Sequence, residues 1–162
     1  MGTASKKSIS LTTIAVSLAG LGVLVCLGIP LFFARPQVTL HNASELVESE
    51  IRAAQNRAAW LRRPLTLVFT ADGYRALDPE GQPIRRMPNG RFLERSFRQD
   101  GVFEGVFFRE IDLGGDTELV FSERGEADSA GRLVLAFENA ECEMTIEQGT
   151  GQIHMTWTHD ER

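Results

Sequence analysis

Three histidines and one short acidic run are the residues of this 162-residue chain whose types could do chemistry. An imidazole can bind zinc, but a zinc site needs further donors at tight spacing. His41, His154 and His159 do not supply that spacing, and His154 falls on the polar side of an alternating run. Asp112, Asp116 and Glu118 surround Gly114-Gly115 and could gather oxygens for calcium, yet the run lacks the spacing of an EF-hand loop. A glycine-rich turn with flanking acids accounts for it more simply. Gly-x-Ser-x-Gly, a phosphate loop, a dinucleotide fingerprint and paired Cys-x-x-Cys are all missing from the sequence. The reading is therefore no catalytic residue, no metal and no cofactor: a protein of interaction rather than of catalysis.

Two cysteines add little. Cys26 lies in an apolar run that would sit within a bilayer and Cys142 in the domain beyond it, too far apart in space for a disulfide within one chain. Charge says more. Of the 17 Lys+Arg only Lys6 and Lys7 precede Arg35, so the chain from Arg35 onward holds 15 basic residues, all Arg, against 22 acidic ones, a net charge of −7. Such a segment repels phosphate backbones, and no nucleic-acid partner is expected.

Any interaction surface must be positioned by the elements around it, and the first is apolar. No charged residue occurs from Ser8 to Ala34, a stretch of about 27 residues that as a helix would reach roughly 40 Å against a hydrocarbon core of roughly 30 Å. Lys6 and Lys7 before it and a lone Arg35 after it place the N-terminus in the cytoplasm and the rest of the chain outside. A cleaved secretory signal ending at Ser17-Leu18-Ala19 is the rival, but apolar sequence continues from Leu21 to Phe33, beyond a signal core of roughly 7 to 15 residues. The chain beyond this apolar run is long enough for one domain and one core.

An amphipathic helix is predicted over about 42–62, with Leu40, Ala43, Val47, Ile51, Ala54, Ala58 and Leu61 along one stripe. Asn42 with Glu45 has the pattern of a capping box, and Pro64 ends the run. Strands are predicted over about 65–158. Leu65, Leu67 and Phe69 alternate with Thr66, Val68 and Thr70, and Ala71-Asp72-Gly73 turns the chain toward Tyr74-Arg75-Ala76-Leu77. Gly101 to Ile111 carries Val102, Phe103, Val106, Phe107 and Phe108 in a strand-like cluster. Cys142, Met144 and Ile146 face Ile153, Met155 and Trp157 across Gly149-Thr150-Gly151 in a closing hairpin.

This order of parts resembles the GspH/FimT class of type II secretion minor pseudopilins and type IV minor pilins. A leader boundary between Ser8 and Ile9 puts Ile9-Ser10-Leu11 where the family has Phe-Thr-Leu, and Pro30 where many pilin helices carry a proline. Ala53-Ala54-Gln55-Asn56-Arg57 with Arg63-Pro64-Leu65-Thr66-Leu67 is similar to its junction of helix and first strand. Phe121-Ser122-Glu123-Arg124-Gly125 is similar to its Phe-x-x-x-Gly turn, and Gly149-Thr150-Gly151-Gln152-Ile153 to its closing hairpin. Two positions depart: Ser8 stands in place of the glycine before the cut, and Thr13 in place of a glutamate that in the family pairs with a neighbouring N-terminal amine.

The resemblance implies a pilin-like α+β fold in three parts: a short basic leader (1–8), a transmembrane and assembly helix (9–34) that includes Leu11, Thr13 and Pro30, and an extracytoplasmic head (35–162) in which the amphipathic helix packs on an antiparallel sheet. It further implies a single-pass protein of the bacterial inner membrane with a periplasmic head. The implied partners are other pseudopilins, inner-membrane secretion platform proteins, a prepilin peptidase, the lipid bilayer and secreted protein cargo. A FimT-like type IV minor pilin and a membrane-anchored periplasmic scaffold that never polymerises are the alternatives.

Overall fold

A computed structural model describes residues 36–85 and 93–159. The apolar run from Ser8 to Ala34 lies outside them; among the described residues no helix is long and apolar enough to cross a membrane. Helix α1 (Pro36–Leu61) is followed by β1 (Leu65–Thr70), β2 (Gly73–Leu77), β3 (Glu94–Ser96), a 3-10 turn at Phe97–Gln99, β4 (Phe107–Asp112), β5 (Glu118–Phe121), β6 (Gly131–Phe137), β7 (Ala140–Ile146) and β8 (Ile153–His159). These residues form an α+β unit, one helix on antiparallel sheets.

Helix α1 starts at Pro36, not near residue 42, and passes straight through Asn42. Proline suits a first helical position, because φ is preset and the missing N–H would have no partner there. The capping box of Asn42 and Glu45 is therefore not formed; Glu45 instead meets the ring of His41 one turn back, at 3.2 Å. Leu40, Ala43, Val47, Ile51, Ala54 and Ala58 are each no more than 1% exposed, so the apolar stripe faces the core as its period requires. Leu61, the last predicted member, is 42% exposed. The helix has already closed: Arg62 takes a φ of 50°, and the Arg62 and Arg63 N–H groups donate back to Ala59 and Ala58. That double bond pattern is a Schellman cap, with arginine in the left-handed position usually held by glycine.

The strands form two sheets where one was expected, ordered β3-β2-β1-β5 and β4-β6-β7-β8. Each consecutive pair is antiparallel. Helix α1 packs against β1 and β5 of the first sheet and against β6 and β7 of the second, so one apolar stripe serves both. Main-chain bonds stitch the sheets together: Phe108 N–H donates to Ala71 O at 2.8 Å, while Ala127 and Gly149 exchange bonds at 3.1 and 2.8 Å. Gly73 stands opposite Ser96 across β2 and β3, and a Cβ there would lie 1.9 Å from the Arg95 carbonyl oxygen. Only a residue without a side chain lets β3 approach that closely.

Two expectations change in the sheets. Gly101 to Ile111 is not one strand, because Val102 N–H donates to the Asp100 carboxylate at 3.0 Å and the chain turns until β4 begins at Phe107. Val102 is consequently 72% exposed. Trp157, predicted on the apolar face of the closing hairpin, is 43% exposed; it lies on the edge strand β8 with its ring 5.0 Å from that of His41. The hairpin itself forms as predicted, with Cys142 opposite Trp157 and Ile146 opposite Ile153.

Candidate functional site

The residues singled out for processing and assembly, Ser8, Ile9, Leu11, Thr13 and Pro30, lie outside the described residues, as does Cys26. Those singled out for metal chemistry are apart. His41 faces Glu45, and His154 faces Glu147 at 3.3 Å. Asp112 accepts from Gly115 N–H at 3.0 Å and Asp116 from Thr117 N–H at 2.7 Å, so both acids are spent on the turn that joins β4 to β5. Among the described residues no group of three or more His, Cys, Asp or Glu is placed to hold a metal ion. Cys142 is fully buried; burial pushes its thiol above the ordinary value, with Ser44 beside it pulling the other way. Such a thiol is a core residue, not a nucleophile.

A junction that no single motif revealed brings three of the sequence signals together. Gln55, half-buried on α1, donates its amide to the Gly125 carbonyl and to the Thr150 carbonyl, both at 2.8 Å. The helix segment, the Phe121–Gly125 turn and the Gly149-Thr150-Gly151 turn thus meet at one side chain. Gly125 sits at φ 78°, where a Cβ would lie 3.0 Å from Gln55 O and 3.2 Å from Ala59 Cβ. The turn is drawn against the helix too closely for a side chain.

Two surface features could receive a partner. The larger is a cleft of about 790 Å³ beside β3, whose lining includes Asp72, Tyr74, Arg75, Glu94, Arg95 and Asp100. Arg95 pairs with Asp100 at its base and lies over the Phe103 ring at 5.8 Å. Burial pushes the Tyr74 phenol up to about 12, with Arg95 beside it pulling down and Asp100 up. The second feature is a groove of about 240 Å³ at the C-terminal end of α1, bounded by Arg57, Leu61 and Arg63, by Pro64 and by the β2–β3 connection through Pro79, Pro83, Ile84 and Arg85. Trp60, which precedes Leu61 in the chain and is not part of the lining, is 74% exposed.

The outer face of the second sheet is ionic. Arg132 on β6 reaches Glu110 on β4 at 2.7 Å and grips both carboxylate oxygens of Glu143 on β7, at 2.9 and 3.0 Å. Its guanidinium holds the Glu143 carboxyl below the usual carboxylate range. Val134 lies between Glu110 and Glu143 in register and is only 4% exposed, because the ion pairs roof it over.

No family profile matches the chain, and no curated protein matches it in sequence. Among solved structures, the crystal structure of the type IV minor pilin FimU from Pseudomonas aeruginosa (strain PAO1) is similar, with a TM-score of 0.53 over 72% of this chain and 87% of that one, at 14% sequence identity. At that identity the likeness is one of fold.

Proposed function

We propose that this chain is a minor subunit of a pilus-like fibre, and that the fibre is the periplasmic pseudopilus of a type II secretion system. The supporting observation is the head, whose helix lies across antiparallel sheets in a fold shared with a type IV minor pilin. In this reading residues 9–34 anchor the chain in the inner membrane and pack against neighbouring stems, after a prepilin peptidase cuts between Ser8 and Ile9. The head stays on the periplasmic side, where it meets other pseudopilins, the secretion platform or cargo, and it catalyses nothing. Thr13 supplies no carboxylate for a neighbour's amine, so this subunit sits where that charge pair is dispensable, as at the end of a fibre rather than along its length.

The likeness to FimU favours a second reading, a type IV minor pilin of a surface pilus. A photo-crosslinking amino acid at Leu11, in cells that make the fibre, distinguishes them: capture of pseudopilins supports the secretion reading and capture of pilus subunits the second. Capture of neither leaves a static scaffold. The net charge of −7 from Arg35 onward speaks against DNA uptake, and submicromolar, salt-sensitive binding to duplex DNA would contradict it, since non-specific binders sit at roughly 10⁻⁴ to 10⁻⁶ M.

A further inference from the structure

The two sheets end in β3, β5, β4 and β8, and the first three of these edges are blunted or closed. Strand β3 has only three residues, and Glu94 and Arg95 are charged. The outer side of β5 is taken, because Val120 O accepts from Asp128 N–H at 3.0 Å and Phe121 bridges to Ala127. Strand β4 carries Arg109, Glu110 and Asp112, and its register against β6 shifts between Phe108 and Glu110. Its Phe108 N–H is also occupied, donating across to Ala71 O. Shortness, charge, a bulge and a covering segment are the means by which sheets keep an edge from pairing with other chains.

Strand β8 uses none of them. Its seven residues, Ile-His-Met-Thr-Trp-Thr-His, include no Lys, Arg, Asp, Glu, Pro or Gly, and they pair with β7 without a shift of register. Glu147 N–H donates to Gln152 O at 2.9 Å. Bonded and non-bonded pairs alternate along an antiparallel ladder, so His154, Thr156 and Thr158 turn their main chain toward β7, while Ile153, Met155 and Trp157 turn theirs outward. Among the described residues no group outside the β7–β8 pair bonds to that outward main chain. Met155 and Trp157 stand opposite the buried Met144 and Cys142, which puts their side chains on the core face of the sheet. Met155 is half-buried there, and Trp157 is 43% exposed beside the His41 ring.

We propose that the open edge of β8 receives an extended segment of another protein as the fifth strand of the second sheet. Outward N–H and C=O groups in β geometry are matched by another extended main chain, which sets the conformation of the occupant. The period of two sets its pattern: apolar side chains at alternate positions lie against Met155 and Trp157, and polar ones lie on the face of Thr156 and Thr158. Charge decides against a second copy. Two chains that each carry −7 from Arg35 onward repel one another, whereas a neutral or basic segment meets no such barrier.

The test uses the full chain in lipid nanodiscs and a displayed library of random dodecapeptides, counter-selected on empty nanodiscs. The proposal expects enrichment of sequences that alternate Val, Ile, Leu or Phe with Thr, Ser, Lys or Arg. In a synthetic peptide of that consensus, N-methylation of alternate residues lowers affinity about tenfold or more in one phase and leaves it unchanged in the other, since only one phase of N–H groups faces β8. This arm uses the unaltered chain and does not depend on the folding of any variant. In the chain, Trp157→Ala removes the aromatic wall, and Trp157→Pro removes an outward N–H as well, so the proline variant binds the peptide more weakly than the alanine variant. Enrichment of no sequence, enrichment without alternation, equal effects of the two N-methylation phases, or equal affinity of the two variants would each overturn the proposal. A dimer in detergent micelles that Trp157→Pro dissolves would assign the edge to a second copy and overturn the choice of partner.

Discussion

The side-chain amide of Gln55 donates to the Gly125 carbonyl at 2.8 Å, joining residues 70 positions apart. The same nitrogen reaches Thr150 O, so one helix residue fixes the turns that come after β5 and β7. Because the turn is held this close, Gly125→Ala meets both a left-handed φ and a wall of helix atoms. Gly81 has nearly the same φ, 77°, with nothing within 4 Å of its would-be Cβ. Gly81→Ala therefore carries only the conformational strain, about 1 to 2 kcal/mol, and Gly125→Ala carries overpacking of about 1 to 3 kcal/mol in addition. Thermal unfolding in detergent micelles compares them, and equal losses would show that the clamp does not confine the turn.

Arg62 occupies the left-handed position of the α1 cap at φ 50°. Glycine takes that conformation without the Cβ clash, so Arg62→Gly stabilises the chain by about 0.5 to 1 kcal/mol despite the added freedom of its unfolded state. A lowered thermal midpoint would mean that the arginine side chain contributes more than its backbone strain costs.

The parts of this fold legible in the sequence are those where apolar periodicity survives. The α1 stripe and the β1–β2 and β7–β8 hairpins each bury one face, so Leu65, Leu67 and Phe69 or Cys142, Met144 and Ile146 stand out at steps of two. Strand β6 does not alternate: Val134 and Ala136 on its outer face are as buried as Leu133 and Leu135 on its inner face, the former because Arg132 and its carboxylates cover Val134. Its apolar run carried no phase. Strand β3 has three residues, too few for any pattern. Division into two sheets depends on pairings such as β1 with β5 and β4 with β6, which join distant segments. The Gln55 junction was half legible, since its three segments stand out separately, but nothing local says that they touch. The groove at the end of α1 has no signature in the sequence, because the residues that line it come from α1, from the turn into β1 and from the β2–β3 connection.

Tyr74 gives the head an alkaline limit. Its phenol ionises near 10 in an unfolded chain and at about 12 when folded, because burial disfavours the charged form. Below pH 10 both states keep the proton and the group has no effect on the pH dependence. From 10 to 12 the unfolded chain releases its proton first, so stability falls, by about 3 kcal/mol across the interval. As the chain has a single tyrosine, its near-ultraviolet tyrosinate absorbance reports Tyr74 alone. The titration midpoint lies near 12 in the native protein and returns to about 10 in urea. Tyr74→Phe removes this part of the alkaline loss; an unchanged alkaline profile would assign that loss to other groups.

Whether the N-terminal stem assembles is decided first at Ser8 and Ile9. In the proposed reading Ser8 stands where pilin-like leaders carry glycine before the cut, and its one hydroxymethyl group would crowd a prepilin peptidase only slightly. The decisive measurement is the intact mass of the protein taken from native membranes in which a prepilin peptidase is active, compared with that of Ser8→Gly. A pilin-like subunit yields a chain that begins at Ile9, and a larger cleaved fraction for Ser8→Gly. A chain that begins at Gly20, or one left uncut even in the Ser8→Gly variant, would contradict that assignment.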